Sequence, residues 1–281
     1  MPEDFVTTDD GVRLWTVRTG TGRPFVLCHG GPGSWDQLEP VAAMVEDRAT
    51  VLRWDQRGCG RSDRSGPYRI DRSIADLECL REHYGWDSWI VGGHSWGSTL
   101  ALRYALTHPE RTTALVCVSG TDLRWRTHRL RYHREKLARL GAHRQRWDDL
   151  MANEQRTPAE NREFRLLTAS TDFGNRMAAL ELAERWLDER FDVNYEANFV
   201  LGAELHAEDD ETLVKACGRL DVPALVVHGT VDPRPLDGPV ELAEVLPRGR
   251  LAKLAGVGHE PWTEHPQLLR EALRSFLAEL A

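Results

Sequence analysis

A short apolar run at residues 89–91 passes directly into Gly92-Gly93-His94-Ser95-Trp96-Gly97 and then into a helical repeat over residues 98–107. No other stretch restricts the chain as tightly. A strand that becomes a helix within a few residues forces the turn residue into strained backbone geometry. It also needs glycines on either side so that neighbouring backbone can approach closely. The surrounding pattern fits such a turn. Apolar runs at residues 24–28, 50–54, 114–118, 224–228 and 250–254 alternate with helical spacing at 74–84, 240–246 and 266–280. Strands separated by helices predict an α/β fold, with a mostly parallel sheet flanked by helices.

The alternation stops between residues 121 and 210, where no continuous apolar strand is present and leucines recur at helical spacing in a strongly basic run over residues 124–147. We expect core at residues 1–120, a helical cap at 121–210 and core again at 211–281. The basic run reads as a solvated helix face. With 281 residues, 41% hydrophobic and 28% charged, the chain can bury one large core. Its formal net charge of -8 disfavours nucleic acid and anionic membrane as partners. The five cysteines include no C-x-x-C pair, so neither a zinc site nor a redox pair is implied. Free cysteines and an acidic start without an apolar leader make the cytoplasm the expected location. Nothing in the sequence sets the oligomeric state.

Gly93-His94-Ser95-Trp96-Gly97 fits G-x-S-x-G. In a strand-turn-helix context it holds Ser95 as a nucleophile at the positive end of a helix, where the amide of Trp96 can donate to an oxyanion. His29-Gly30-Gly31-Pro32-Gly33 follows an earlier strand and offers a second donor, Gly31 first and Gly30 next. A loop of this shape needs a sharp reversal, so the Gly31–Pro32 bond is expected to be cis. A serine needs a base, and of eleven histidines His259 is placed best, in a loop between the last strand and the last helix. Asp232, after the penultimate strand, would orient it, and Asp237 is the reserve. This gives the chain order Ser, Asp, His. Asp55-Gln56-Arg57-Gly58-Cys59-Gly60-Arg61-Ser62 reads as a buried, salt-bridged support for the oxyanion loop.

Together, His-Gly-Gly-Pro-Gly, Asp-Gln-Arg-Gly-Cys-Gly-Arg-Ser and Gly-Gly-His-Ser-Trp-Gly-Ser-Thr-Leu-Ala-Leu resemble the proline iminopeptidases of the α/β-hydrolase superfamily. The resemblance spans residues 5–120 and 222 onward. It implies an acyl-enzyme mechanism on Ser95, Asp232 and His259, oxyanion donors at Gly31 and Trp96, a short-peptide substrate and no cofactor or metal. It also implies a cap carboxylate for the substrate's free amine. In Tyr195-Glu196-Ala197-Asn198-Phe199 that residue would be Glu196, with Glu204 second; the alternative is that both are solvated helix residues. Ser34-Trp35 stands where members usually continue with glycine. The competing reading is an esterase, lactonase or amide hydrolase of a small metabolite on the same fold. A binding protein that kept the pocket is more distant. Dehalogenases and epoxide hydrolases are disfavoured, because they place aspartate where this chain has Ser95.

Overall fold

The computed structural model describes residues 3–120, 123–187 and 190–280. Eight strands form one sheet: β1 Glu3–Thr7, β2 Arg13–Thr19, β3 Arg23–Cys28, β4 Ala49–Trp54, β5 Trp89–His94, β6 Thr112–Val118, β7 Ala224–Gly229 and β8 Gly249–Leu254. Their order is β1-β2-β4-β3-β5-β6-β7-β8. The β1–β2 and β2–β4 pairs are antiparallel and the rest parallel. The central strands β5 and β7 are buried at every position. This is why they read as unbroken apolar runs rather than alternating ones.

Helices cover both faces. The core helices are α1 Glu39–Ala43, α2 Ile70–His83 and α3 Trp96–Thr107; α4 Trp125–Arg139, α5 Arg144–Ala152, α6 Pro158–Ser170, α7 Ala179–Trp186, α8 Tyr195–Ala207 and α9 Asp210–Cys217 lie between β6 and β7; α10 Asp237–Val245, α11 Pro261–Glu264 and α12 Pro266–Glu279 complete the chain. On one face Leu77, Leu100 and Tyr104 pack with Val91 and Leu115; on the other Leu269, Leu273 and Phe276 pack with Ile90 and Val116. Each such side chain, removed from water, contributes about 1.5–3 kcal/mol.

The segment between β6 and β7 is helical, as its composition predicts, but the periodic stretch at 124–147 is two helices. Gly141, at φ 50°, turns the chain between α4 and α5. Helix α6 begins with a capping box, in which Thr157 accepts from the Glu160 amide and the Glu160 carboxylate accepts from the Thr157 amide. Helical spacing over 176–191 extends beyond α7 and includes two residues outside the described ones.

Candidate active site

Ser95 stands at the end of β5 with φ 55° and ψ -121°, and α3 starts at the next residue. A side chain here is strained, and the surrounding bonds hold it in place. Its amide donates to Val118 O at 2.9 Å. The helix can begin so close to the sheet because Gly97 has no side chain. A Cβ there would collide with the carbonyl of Cys28 at the end of β3. The preceding loop carries Gly31 at φ 125°, a left-handed conformation that favours glycine, and the Gly31–Pro32 bond is cis, as expected. Gly31, Ser95 and Trp96 line one cavity, and the Trp96 amide opens α3.

The Asp-Gln-Arg-Gly loop braces this arrangement. Asp55 accepts from the Asp36 amide at 2.7 Å and from Arg61 Nε at 2.6 Å. Gln56 donates to His29 O at 2.8 Å and accepts from Trp96 Nε1 at 2.7 Å. It thereby joins the His29–Gly33 loop to the start of α3. His29 donates from Nδ1 to Gly30 O at 2.8 Å, so it shapes loop backbone.

His259 and Asp232 meet in the loops after β8 and β7, where His259 Nδ1 donates to Asp232 Oδ2 at 2.7 Å. Both are buried. Nε2 is then the nitrogen left to accept a proton. The His259 ring packs on that of His94, with centroids 4.6 Å apart. His94 precedes Ser95, so the loops of His259 and Ser95 are in contact. His94 Nε2 donates to His259 O at 3.0 Å. Burial, then the neighbouring His259, keeps His94 well below the ordinary histidine range. Ligating atoms of His94, His259 and Glu260 come within 4.8 Å of one another. The His94 bond to the His259 carbonyl accounts for that closeness as packing of the two loops.

Arg234 was not singled out in the sequence. Its amide donates to Asp232 Oδ1 at 2.8 Å, and its Nη1 reaches Asp172 Oδ1 at 2.8 Å and Asp232 Oδ1 at 3.3 Å. Burial would raise the Asp232 carboxyl, but His259 and Arg234 together hold it well below the usual range. Asp172 lies after α6, and its carbonyl accepts the His259 amide at 2.7 Å. No short-range pattern marks Asp172, because its partners lie 62 and 87 positions away in the chain. Arg234 had a weak signal in Asp232-Pro233-Arg234-Pro235. Glu260 is also buried; burial, then the carboxylate of Asp172, raises its carboxyl well above the ordinary glutamate range.

The cavity above Ser95 holds about 620 Å³. Neither Glu196 nor Glu204 is among the residues that line it. Helix α8 seats on the oxyanion loop through Asn194, whose amide donates to Gly33 O at 2.8 Å, and Asn198, which donates to Pro32 O at 2.7 Å. Asn194, Ala197, Asn198 and Leu201 therefore define the inner face. Glu196 falls on the outer face and is exposed. Glu204 accepts the Ile70 amide at 3.0 Å. Helix α2 has no side-chain cap at Arg69, and a carboxylate satisfies its first amide and complements its dipole. The carboxylates that do line the cavity are Asp172, Glu208, Asp209 and Asp210.

A serine at a strand-turn-helix, a glycine-rich loop and a His–Asp pair, all at the carboxyl ends of a mostly parallel sheet, are the parts of a hydrolase of the α/β-hydrolase fold. Residues 23–266 match the family model described as alpha/beta hydrolase fold. The chain is similar throughout to an alpha/beta fold family hydrolase of Bacillus anthracis, with TM-score 0.78 at 19% identity, over 100% of this chain and 99% of that one. A thermophilic esterase of Thermogutta terrifontis has TM-score 0.72 at 21% identity, over 100% and 99%. In sequence, the proline iminopeptidase of Xylella fastidiosa is 32% identical over 89% of this chain and 88% of its own. The chain belongs to the proline iminopeptidase family of α/β-hydrolases.

Proposed function

We propose that this enzyme is a serine hydrolase that releases N-terminal proline from short peptides through an acyl-enzyme. The observation that carries the reading is the similarity to a proline iminopeptidase along almost the whole chain. Ser95 Oγ attacks the prolyl carbonyl as His259 Nε2 takes its proton, and Asp232 stabilises the imidazolium that forms. The tetrahedral oxyanion accepts hydrogen bonds from the amides of Gly31 and Trp96. His259 then gives its proton to the leaving amine. Water hydrolyses the prolyl ester by the same steps, returning Ser95 and free proline.

Electrostatics supports a substrate with charge at both ends. Glu208, Asp209 and Asp210 line the cavity, and so do Lys136 and Arg234. Glu208 pairs with Arg103, two turns along α3 from Ser95, while Arg234 touches the triad acid. In this reading the substrate's ammonium is drawn to these carboxylates.

A second reading, hydrolysis of a small metabolite ester or amide, is favoured by the outward placement of Glu196 and the use of Glu204 on α2. A substrate panel separates the two. Prolyl arylamide should be turned over faster than other aminoacyl arylamides and faster than acetate or long acyl esters. Turnover of the esters without the prolyl arylamide would replace the first reading with the second.

A further inference from the structure

The cations lining the catalytic cavity differ in what they already hold. Arg103 is paired with Glu208, and Arg234 with Asp172 and Asp232. His206 accepts the indole proton of Trp125 on Nε2 at 2.9 Å. Lys136 is half-buried, and among the described residues no carboxylate lies within ion-pair distance of it. Its contact is with the face of Tyr132, 6.0 Å from Nζ to the ring centroid.

The fold fixes where this ammonium stands. Tyr132, Lys136 and Arg139 are four and three residues apart on α4, so they share one face. Arg139 donates to Val231 O at 2.7 Å and to Thr171 O at 3.2 Å. The guanidinium of Arg234 sits over the Tyr132 ring at 4.9 Å. Both neighbours on the stripe thus touch the loop of Asp232. Lys136 is therefore held on the side of the cavity next to the loop of Asp232.

That side is set by the chemistry. His259 must protonate the leaving nitrogen, so the departing residue lies beside it. In a dipeptide that residue ends in a carboxylate one carbon beyond the nitrogen-bearing carbon. Among the described residues Lys136 makes no ion pair of its own, and Asp172, on which its charge acts from a distance, is already paired with Arg234; such a cation in a partly water-excluded wall meets an anion more strongly than it would in bulk water.

We propose that Lys136 is a specificity-determining residue that binds the free carboxylate of the leaving residue, making very short peptides with an unblocked C-terminus the favoured substrates. The proposal rests on the iminopeptidase reading above and adds the leaving side to it.

The test compares kcat/KM for prolylalanine, prolylalaninamide and prolyl p-nitroanilide. The wild type should prefer the free acid to its amide by about tenfold or more, the scale of one hydrogen bond to a charged group. Lys136→Met should bring that ratio close to one, and Lys136→Arg should keep most of it. Because the ratio is measured within each variant, loss of folded protein cancels. If wild type turns over both dipeptides equally, or Lys136→Met retains the preference, this proposal fails while prolyl p-nitroanilide turnover leaves the iminopeptidase reading standing. If no prolyl substrate is turned over, the reading fails and the proposal with it.

Discussion

Asp232 and Glu260 are two buried carboxyls on opposite electrostatic terms. Asp232 is flanked by His259 and Arg234, so it stays ionised throughout the acid range in which a histidine base is protonated. At Glu260 the pull of Arg234 is outweighed by burial and by the Asp172 carboxylate, and its Oε2 is buried without a hydrogen-bond partner. Its folded-state pKa lies above the unfolded value, so between the two the folded chain binds the extra proton. Stability is then full below about pH 4.3, the unfolded glutamate value, and falls as pH rises through the folded pKa. The slope is about 1.4 kcal/mol per pH unit for one proton. Glu260→Gln should remove this slope in urea titrations run across that range. An unchanged slope in the variant would show that Glu260 is not its source.

At the scale of elements, the join of β5 to α3 depends on Gly97. A methyl there must displace the Cys28 carbonyl or the helix. Gly97→Ala should cost about 1–3 kcal/mol, as overpacking does, and should lower turnover by more than its loss of stability explains, because the oxyanion loop continues from Cys28. Urea midpoints and kcat on the same preparation check this. Much of this architecture could be read from residue order: strands buried on both faces write continuous apolar runs, and the nucleophile turn writes its own glycines. Edge strand β1 could not, because only Val6 of its five residues turns inward. The inner face of α8 was equally hidden. Tyr195, Phe199 and Val200 are apolar yet exposed, and the inward residues include two asparagines, so periodicity could not show that Glu196 faces out. Asp172 and Lys136 gain their places only when α4 and α6 fold over the loops of Asp232 and His259.

Across the whole molecule, the helices between β6 and β7 are fastened to the base loop. Glu264 accepts the Gly258 amide with one oxygen and the Gly174 amide with the other, each at 2.9 Å, and the His259 amide is bound to Asp172. The same segment that lines the cavity at Asp172 therefore also fixes the backbone of His259. Among the described residues no helix is long and apolar enough to cross a membrane. The central claim is that the chemistry runs through Ser95, and covalent labelling tests it most directly. A fluorophosphonate should attach once per chain, at Ser95 by peptide mapping. Ser95→Ala should take no label and lose about four to six powers of ten in turnover. Label on another residue, or an alanine variant with full turnover, would contradict the account.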